Sequence, residues 1–136
     1  MKQIDLSNNS LISIHKMVVR WVDMDAYRHV NNARYFDYML EARMVVFGEV
    51  FADPDIQYML VHAACDFKKA LAYPQEIIIK QYFYAMSRST VTLYYEFYTA
   101  QQEHTLNATG VGILVAVDAH TGKSVALPEA IKKILL

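Results

Sequence analysis

The stretch Arg20-Trp21-Val22-Asp23-Met24-Asp25-Ala26-Tyr27-Arg28-His29-Val30-Asn31-Asn32-Ala33-Arg34-Tyr35 joins two segments of opposite character. Ahead of and into it, Leu11 to Val22 is rich in β-branched residues, with Ile12, Ile14, Val18 and Val22 on one parity, the pattern of a strand. Beyond it, Tyr35, Tyr38, Met39, Ala42, Val45 and Val46 recur at helical spacing, which predicts a helix over residues 32 to about 50. Residues 24 to 31 have no period and read as the connecting loop, and Asn31 or Asn32 offers an N-cap. Phe36, Leu40 and Phe47 put apolar bulk on a second face of the helix, so most of its girth is expected to be buried. Gly48 and the Asp53-Pro54 pair close the segment.

Downstream the period changes from helical to alternating. Met59, Val61, Ala63, Cys65 and Phe67 form one strand candidate, and Glu76 to Met86 a second after a turn near Tyr73-Pro74. Thr90 to Thr99 is a third, and Leu106 to Val117 a fourth, followed by a turn at Asp118 to Gly122. Leu127-Pro128-Glu129 starts a short final helix, since proline suits a first helical position. One strand, one long helix and four successive strands imply an α+β fold with antiparallel pairing. The lone helix has no partner helix, so the sheet must wrap it. The 10 tyrosines, concentrated in the strands, suggest that part of the sheet packs against another subunit.

Composition narrows the classes. A chain of 136 residues fits one domain, expected over residues 1–136 with a loose N-terminal arm over residues 1–10. Hydrophobic residues make up 54% and charged residues 20%, enough for a core. The 13 Lys+Arg against 14 Asp+Glu leave a net charge of -1, which gives no long-range attraction to nucleic acid. Neither a signal peptide nor a long apolar span is visible, so membrane insertion is not expected. Cys65 is the single cysteine, which excludes an internal disulfide and fits the cytoplasm; it reads as a small buried hydrophobe. The five histidines lack metal-ligand spacing, and there is no glycine-rich phosphate loop or nucleophile elbow. No cofactor is called for.

Asp25 lies just past the first strand and shortly before the long helix. A helix N-terminus offers unpaired N–H groups and a partial positive charge. Such donors polarise a carbonyl oxygen while a nearby carboxylate attacks the carbonyl carbon or activates water. Spacing alone favours a loop carboxylate that merely caps or pairs with Arg20 or Arg28.

The segment resembles the signature of the 4-hydroxybenzoyl-CoA thioesterase-like family of hotdog proteins, in the branch reading aromatic-x-Asp-x-Asp-x-x-x-His-Val-Asn-Asn-x-x-Tyr. The match is close over residues 20 to 43 and weaker through Val61 to Lys69, Ser87 to Tyr95 and Val117 to Glu129. The resemblance implies a hotdog fold, an antiparallel sheet wrapped around one long helix. It also implies a homodimer or homotetramer with active sites at the dimer interface, acting on an acyl-CoA. It assigns Asp25 as nucleophile or general base, and Asn32 as the residue whose backbone N–H holds the thioester oxygen. Some relatives carry His at that position; here it is Asn, so a mechanism needing that His does not transfer. His29 is expected to brace the loop or orient substrate. Glu41, in Tyr38-x-x-Glu41-Ala42-Arg43, is expected to orient the loop through a hydrogen bond, and Asp23 to support it from the strand end. Arg88, in a Ser-Arg-Ser turn, is the candidate for the phosphates of CoA, and Lys68-Lys69 a weaker one. The family's usual glycine is missing from Met86-Ser87-Arg88-Ser89-Thr90.

The expectation is therefore an acyl-CoA thioesterase releasing free acid and CoA. An acyl carrier protein thioesterase and an acyl-thioester-binding module without turnover are the alternatives. A hydratase on the same fold would carry an Asp-His hydration motif, which is absent.

Overall fold

Five strands form one antiparallel sheet in the computed structural model, which describes residues 10–136. They are β1 (Leu11–Val18), β2 (Ile56–Phe67), β3 (Glu76–Met86), β4 (Thr90–Thr99) and β5 (Ala108–Asp118), with helices α1 (Arg34–Phe51) and α2 (Glu129–Leu135). The order across the sheet is β1-β3-β4-β5-β2. Consecutive strands pair from β3 to β5, but β2 crosses to the far edge and pairs with β5 instead of β3. The expected arm falls outside the described residues except for Ser10, whose carbonyl accepts from Phe83 N at 2.8 Å and so extends the β1 edge.

One face of the sheet closes on α1. Ile77, Ile79, Leu93, Tyr95 and Phe97 point inward and are fully buried against Tyr38, Met39, Ala42 and Phe47 of the helix. The Tyr35 ring meets Phe67 at 4.9 Å and Phe97 at 5.4 Å, both edge-on. Each such pair contributes about 0.5–1.5 kcal/mol beyond simple burial. Gly110 on β5 lets the helix come close, since a Cβ there would lie 2.5 Å from Met39 Sδ. This is the hotdog arrangement, a curled antiparallel sheet around one long helix.

Three expectations shift. The first strand ends at Val18, not Val22, because residues 21–23 turn into a short 3-10 segment held by side chains. The parity Ile14 and Val18 share faces away from the helix, and both are exposed. The inward side carries Ser13, His15 and Met17 instead, so β-branching marked the strand but not its buried face. The helix is also not buried all round: Phe36, Leu40, Met44 and Val45 remain exposed along the side next to β2 and beyond it. Elsewhere the turn at residues 118–122 forms as expected, with Asp118 Oδ1 accepting from His120 N and Thr121 N at 2.7 and 2.9 Å and Gly122 at φ 74°. No helix among the described residues is long and apolar enough to cross a membrane.

Candidate active site

The loop between β1 and α1 is built around a buried carboxylate. Asp23 is 1% exposed. Arg20 forks onto it, with Nη2 2.9 Å from Oδ1 and Nε 3.2 Å from Oδ2. The Tyr38 hydroxyl donates to Oδ2 at 2.7 Å, and Arg34 Nε stands 3.8 Å from Oδ1. Burial alone would lift this carboxyl, but the hydrogen bonds from Arg20 and Tyr38 and the charge of Arg20 outweigh it and hold the group below its ordinary value. Asp23 supports the loop as the sequence suggested, through more partners than it revealed.

Backbone bonds then fold residues 24–30 into a tight return. Asn31 N donates to Asp23 O at 2.9 Å, Met24 bridges Val30, and Asp25 N donates to His29 O at 2.8 Å. Arg28 sits at the corner with φ 60°, a left-handed conformation that costs a non-glycine residue free energy. Val30 N donates to Leu71 O at 2.7 Å and Val19 N to Gln75 O at 2.9 Å, tying the loop to the 68–75 connection.

The Asp25 carboxylate is held by this frame. Its Oδ1 accepts from Tyr27 N at 2.9 Å and from His29 N at 3.2 Å. Among the described residues Oδ2 has no partner, and Asp25 forms no ion pair with Arg20 or Arg28. The side chain borders an open cleft of about 500 Å³ walled by Trp21, Val22, Met24, Arg28 and Tyr73. One oxygen is thus fixed and the other has no protein partner among the described residues, on a side chain that borders the cleft, an arrangement suited to attack on carbon or to taking a proton from water.

The remaining site candidates divide. His29 lies on the same return, but it is its backbone, not its imidazole, that braces Asp25; the side chain is exposed. Asn32 stands just ahead of α1, and its N–H has no acceptor among the described residues, as a carbonyl-polarising donor requires. Neither Asn31 nor Asn32 caps the helix: the N-cap position is Ala33, without a side-chain cap, and Asn31 Oδ1 instead accepts from Ala33 N at 3.0 Å in the turn ahead of α1. Neither His29 nor Asn32 walls the cleft, so Asp25 is the one expected site residue that does.

Arg88 is elsewhere. It is exposed in the β3–β4 turn, at the opposite end of β3 from Glu76, which pairs with Val18 beside the loop. A strand of this length separates Arg88 from Asp25 of the same chain by roughly 30 Å. The turn closes without the missing glycine because Ser87 N bonds Thr90 O at 2.9 Å and the Ser87 and Thr90 hydroxyls meet at 2.6 Å.

Glu41 does not orient the loop. Its Oε1 lies 3.5 Å from His15 Nε2 on β1, because position 41 turns toward the first strand and away from the helix N-terminus. Lys69 Nζ donates to Gln102 Oε1 at 2.7 Å. Cys65 is half-buried, and burial, then the neighbouring Asp66, push its thiol up to about 12, which suits a packing role. The sequence reading missed the cleft walls Trp21 and Tyr73; an aromatic beside the Asp-x-Asp stretch and another beside Pro74 were the available signals.

The profile of the thioesterase-like superfamily matches residues 19–135, and the chain belongs to that superfamily. The Bacillus subtilis protein YsmA is similar at 29% identity over 125 residues, covering 90% of this chain and 84% of its own. The PA2801 protein of Pseudomonas aeruginosa, a candidate thioesterase, has a structure that matches with a TM-score of 0.86 at 25% identity, over 93% of this chain and 99% of that one. The 1,4-dihydroxy-2-naphthoyl-CoA thioesterase of Synechocystis matches with a TM-score of 0.82 over 90% and 93% of the two chains. At 18% identity that likeness concerns the fold alone.

Proposed function

We propose that the protein hydrolyses the thioester bond of an acyl-CoA, giving the free acid and CoA, with Asp25 as the reacting carboxylate. The observation that carries this reading is the Asp25 side chain itself, anchored through Oδ1 by two backbone N–H groups, without a partner at Oδ2 among the described residues, and bordering a cleft. As nucleophile, Oδ2 attacks the thioester carbon, the thiolate of CoA leaves, and water cleaves the resulting mixed anhydride. As general base, Asp25 takes a proton from water, whose oxygen attacks the same carbon. In both routes the Asn32 N–H at the head of α1 holds the carbonyl oxygen as it gains charge. His29 serves through its backbone, by fixing Oδ1.

We further propose a homodimer formed through the β2 edge. Among the described residues β2 is a terminal strand of 12 residues with unpaired backbone along one side and Met59, Leu60 and Val61 exposed, a surface that proteins seldom leave open. A two-fold axis there runs the two sheets in opposite directions and sets the Arg88 end of one copy beside the Asp25 end of the other. Arg88 can then meet CoA phosphates in the second copy's site, which its distance from its own Asp25 forbids.

Purified protein tested against short, long and aromatic acyl-CoAs, with released thiol as the signal, examines the activity. Matched acyl carrier protein substrates separate the two carriers, and binding without thiol release points to a non-hydrolytic module. Label in Asp25 after a single turnover in heavy-oxygen water identifies the nucleophilic route with water attacking the Asp25 carbon of the anhydride, since the general-base route never forms a bond to that carboxyl.

A further inference from the structure

Arg43, midway along α1, is 4% exposed, and its guanidinium has one hydrogen-bond partner among the described residues, the Tyr95 hydroxyl at 3.3 Å from Nη1. No carboxylate among those residues lies within ion-pair distance of it. Burial pushes Tyr95 up to about 12, so that partner is neutral. A buried guanidinium offers five donors and a full charge, and leaving it with one neutral acceptor is costly. Every other buried charge described has counter-charges: Asp23 is met by Arg20 and Arg34.

Arg43 also forms part of the wall of a groove of about 510 Å³ between α1 and the edge strand β2. The other walls are largely apolar, including Leu40, Met44, Phe51, Met59 and Leu60. Largely apolar walls with one buried cation among them match a ligand that is a hydrocarbon with an anionic end. The groove runs from Arg43 toward Phe51, a helical rise of about 12 Å, and its outer end is the end of α1 remote from Asp25. In the antiparallel pair proposed above, that end adjoins the second copy's Asp25.

We propose that this groove holds the acyl group of the thioester processed at the second copy's Asp25, and that Arg43 selects acyl chains ending in a carboxylate. This assignment rests on the thioesterase reading and adds the substrate class to it. The carbonyl is presented to Asp25 at the open end near Phe51, the methylene chain lies along Met44 and Met59, and the terminal carboxylate meets the guanidinium. A plain alkyl chain of equal length fills the same walls and leaves Arg43 without its anion.

The test compares sebacoyl-CoA with decanoyl-CoA, equal in length and differing by one carboxylate. The wild type is expected to favour sebacoyl-CoA in kcat/KM, and Arg43→Met to lower the sebacoyl-to-decanoyl ratio by at least about tenfold, the scale of one charge-assisted hydrogen bond. Arg43→Lys, which keeps the charge and guards against misfolding, should retain part of the preference. An unchanged ratio in a folded Arg43→Met or Arg43→Lys protein overturns the assignment while hydrolysis, and so the thioesterase reading, stands. A second readout needs no turnover: sebacate should raise the melting temperature of the wild type more than decanoate does, should lose that advantage in Arg43→Met and should keep part of it in Arg43→Lys. Equal stabilisation by the two acids overturns the assignment even if no thioester is hydrolysed.

Discussion

The Tyr38 hydroxyl, one turn into α1, stands 2.7 Å from Oδ2 of Asp23 at the end of the β1 connection. This bond fastens the helix to the loop that carries Asp25, since Asp23 O also accepts from Asn31 N at 2.9 Å. Tyr38→Phe keeps the ring in the core and removes only the donor. We expect it to lower stability by about 1–2 kcal/mol and to reduce kcat more than KM, because the loop is loosened while the cleft walls persist. Urea denaturation and steady-state kinetics check both parts; a variant with wild-type stability would show that the bond is incidental.

Acid should expose the same bracket. The Asp23 carboxyl is held below its ordinary value of 3.8 in the folded chain. Between the two values the unfolded chain binds more protons than the folded one, so the stabilisation is complete above the unfolded value and lost as pH falls through the folded one. Arg20 is largely solvent-exposed, so screening keeps this contribution modest. Unfolding free energies measured from about pH 5 down to about pH 2 should fall more steeply for wild type than for Asp23→Asn. Parallel curves would contradict the assignment.

Much of this architecture was legible in the sequence, and the parts that were not share a cause. β3 and β4 were bounded correctly because Glu76 to Met86 and Thr90 to Thr99 alternate between polar turns. The position of Asp25 between strand and helix was legible too, because the change of period brackets it. The buried face of β1 was not: Ile14 and Val18 are as β-branched as any core residue, yet they face outward while His15 and Met17 face α1. Periodicity finds a strand, but which parity is buried depends on what packs above it. Glu41 was misplaced for the same reason, since helical spacing does not say which neighbouring strand a face meets. The crossing of β2 to the far edge is a property of topology that local patterns do not carry, and so is the pairing of β1 with β3, which sets Arg88 a strand's length from Asp25.

Cys65 provides an independent check on packing. With its thiol pushed up to about 12 by burial, little thiolate exists near neutrality. Iodoacetamide at neutral pH should alkylate the native protein far more slowly than the urea-unfolded chain. Equal rates would place the thiol in solvent and contradict the β2–α1 contact that shields it.

Arg88→Ala tests the shared site. If an Arg88 reads CoA phosphates in the second copy's site, the substitution raises KM for acyl-CoA by roughly fivefold, about 1 kcal/mol, and leaves kcat nearly unchanged. The effect should vanish with an acyl-pantetheine lacking the nucleotide and shrink in high salt. Equal slowing of both substrates would show that Arg88 does not contact the nucleotide.

The central claim is that the Asp25 carboxylate performs the chemistry, and Asp25→Asn tests it most directly. The amide oxygen can still accept from Tyr27 N and His29 N, so the loop, the fold and substrate binding should persist while the reacting oxygen is lost. Thiol release from the best acyl-CoA is measured for wild type and variant, with thermal unfolding as the control for folding. The account predicts a folded variant whose kcat falls by about a hundredfold or more, the usual scale of a lost general base or nucleophile. A folded Asp25→Asn protein retaining more than about a tenth of wild-type kcat would contradict it.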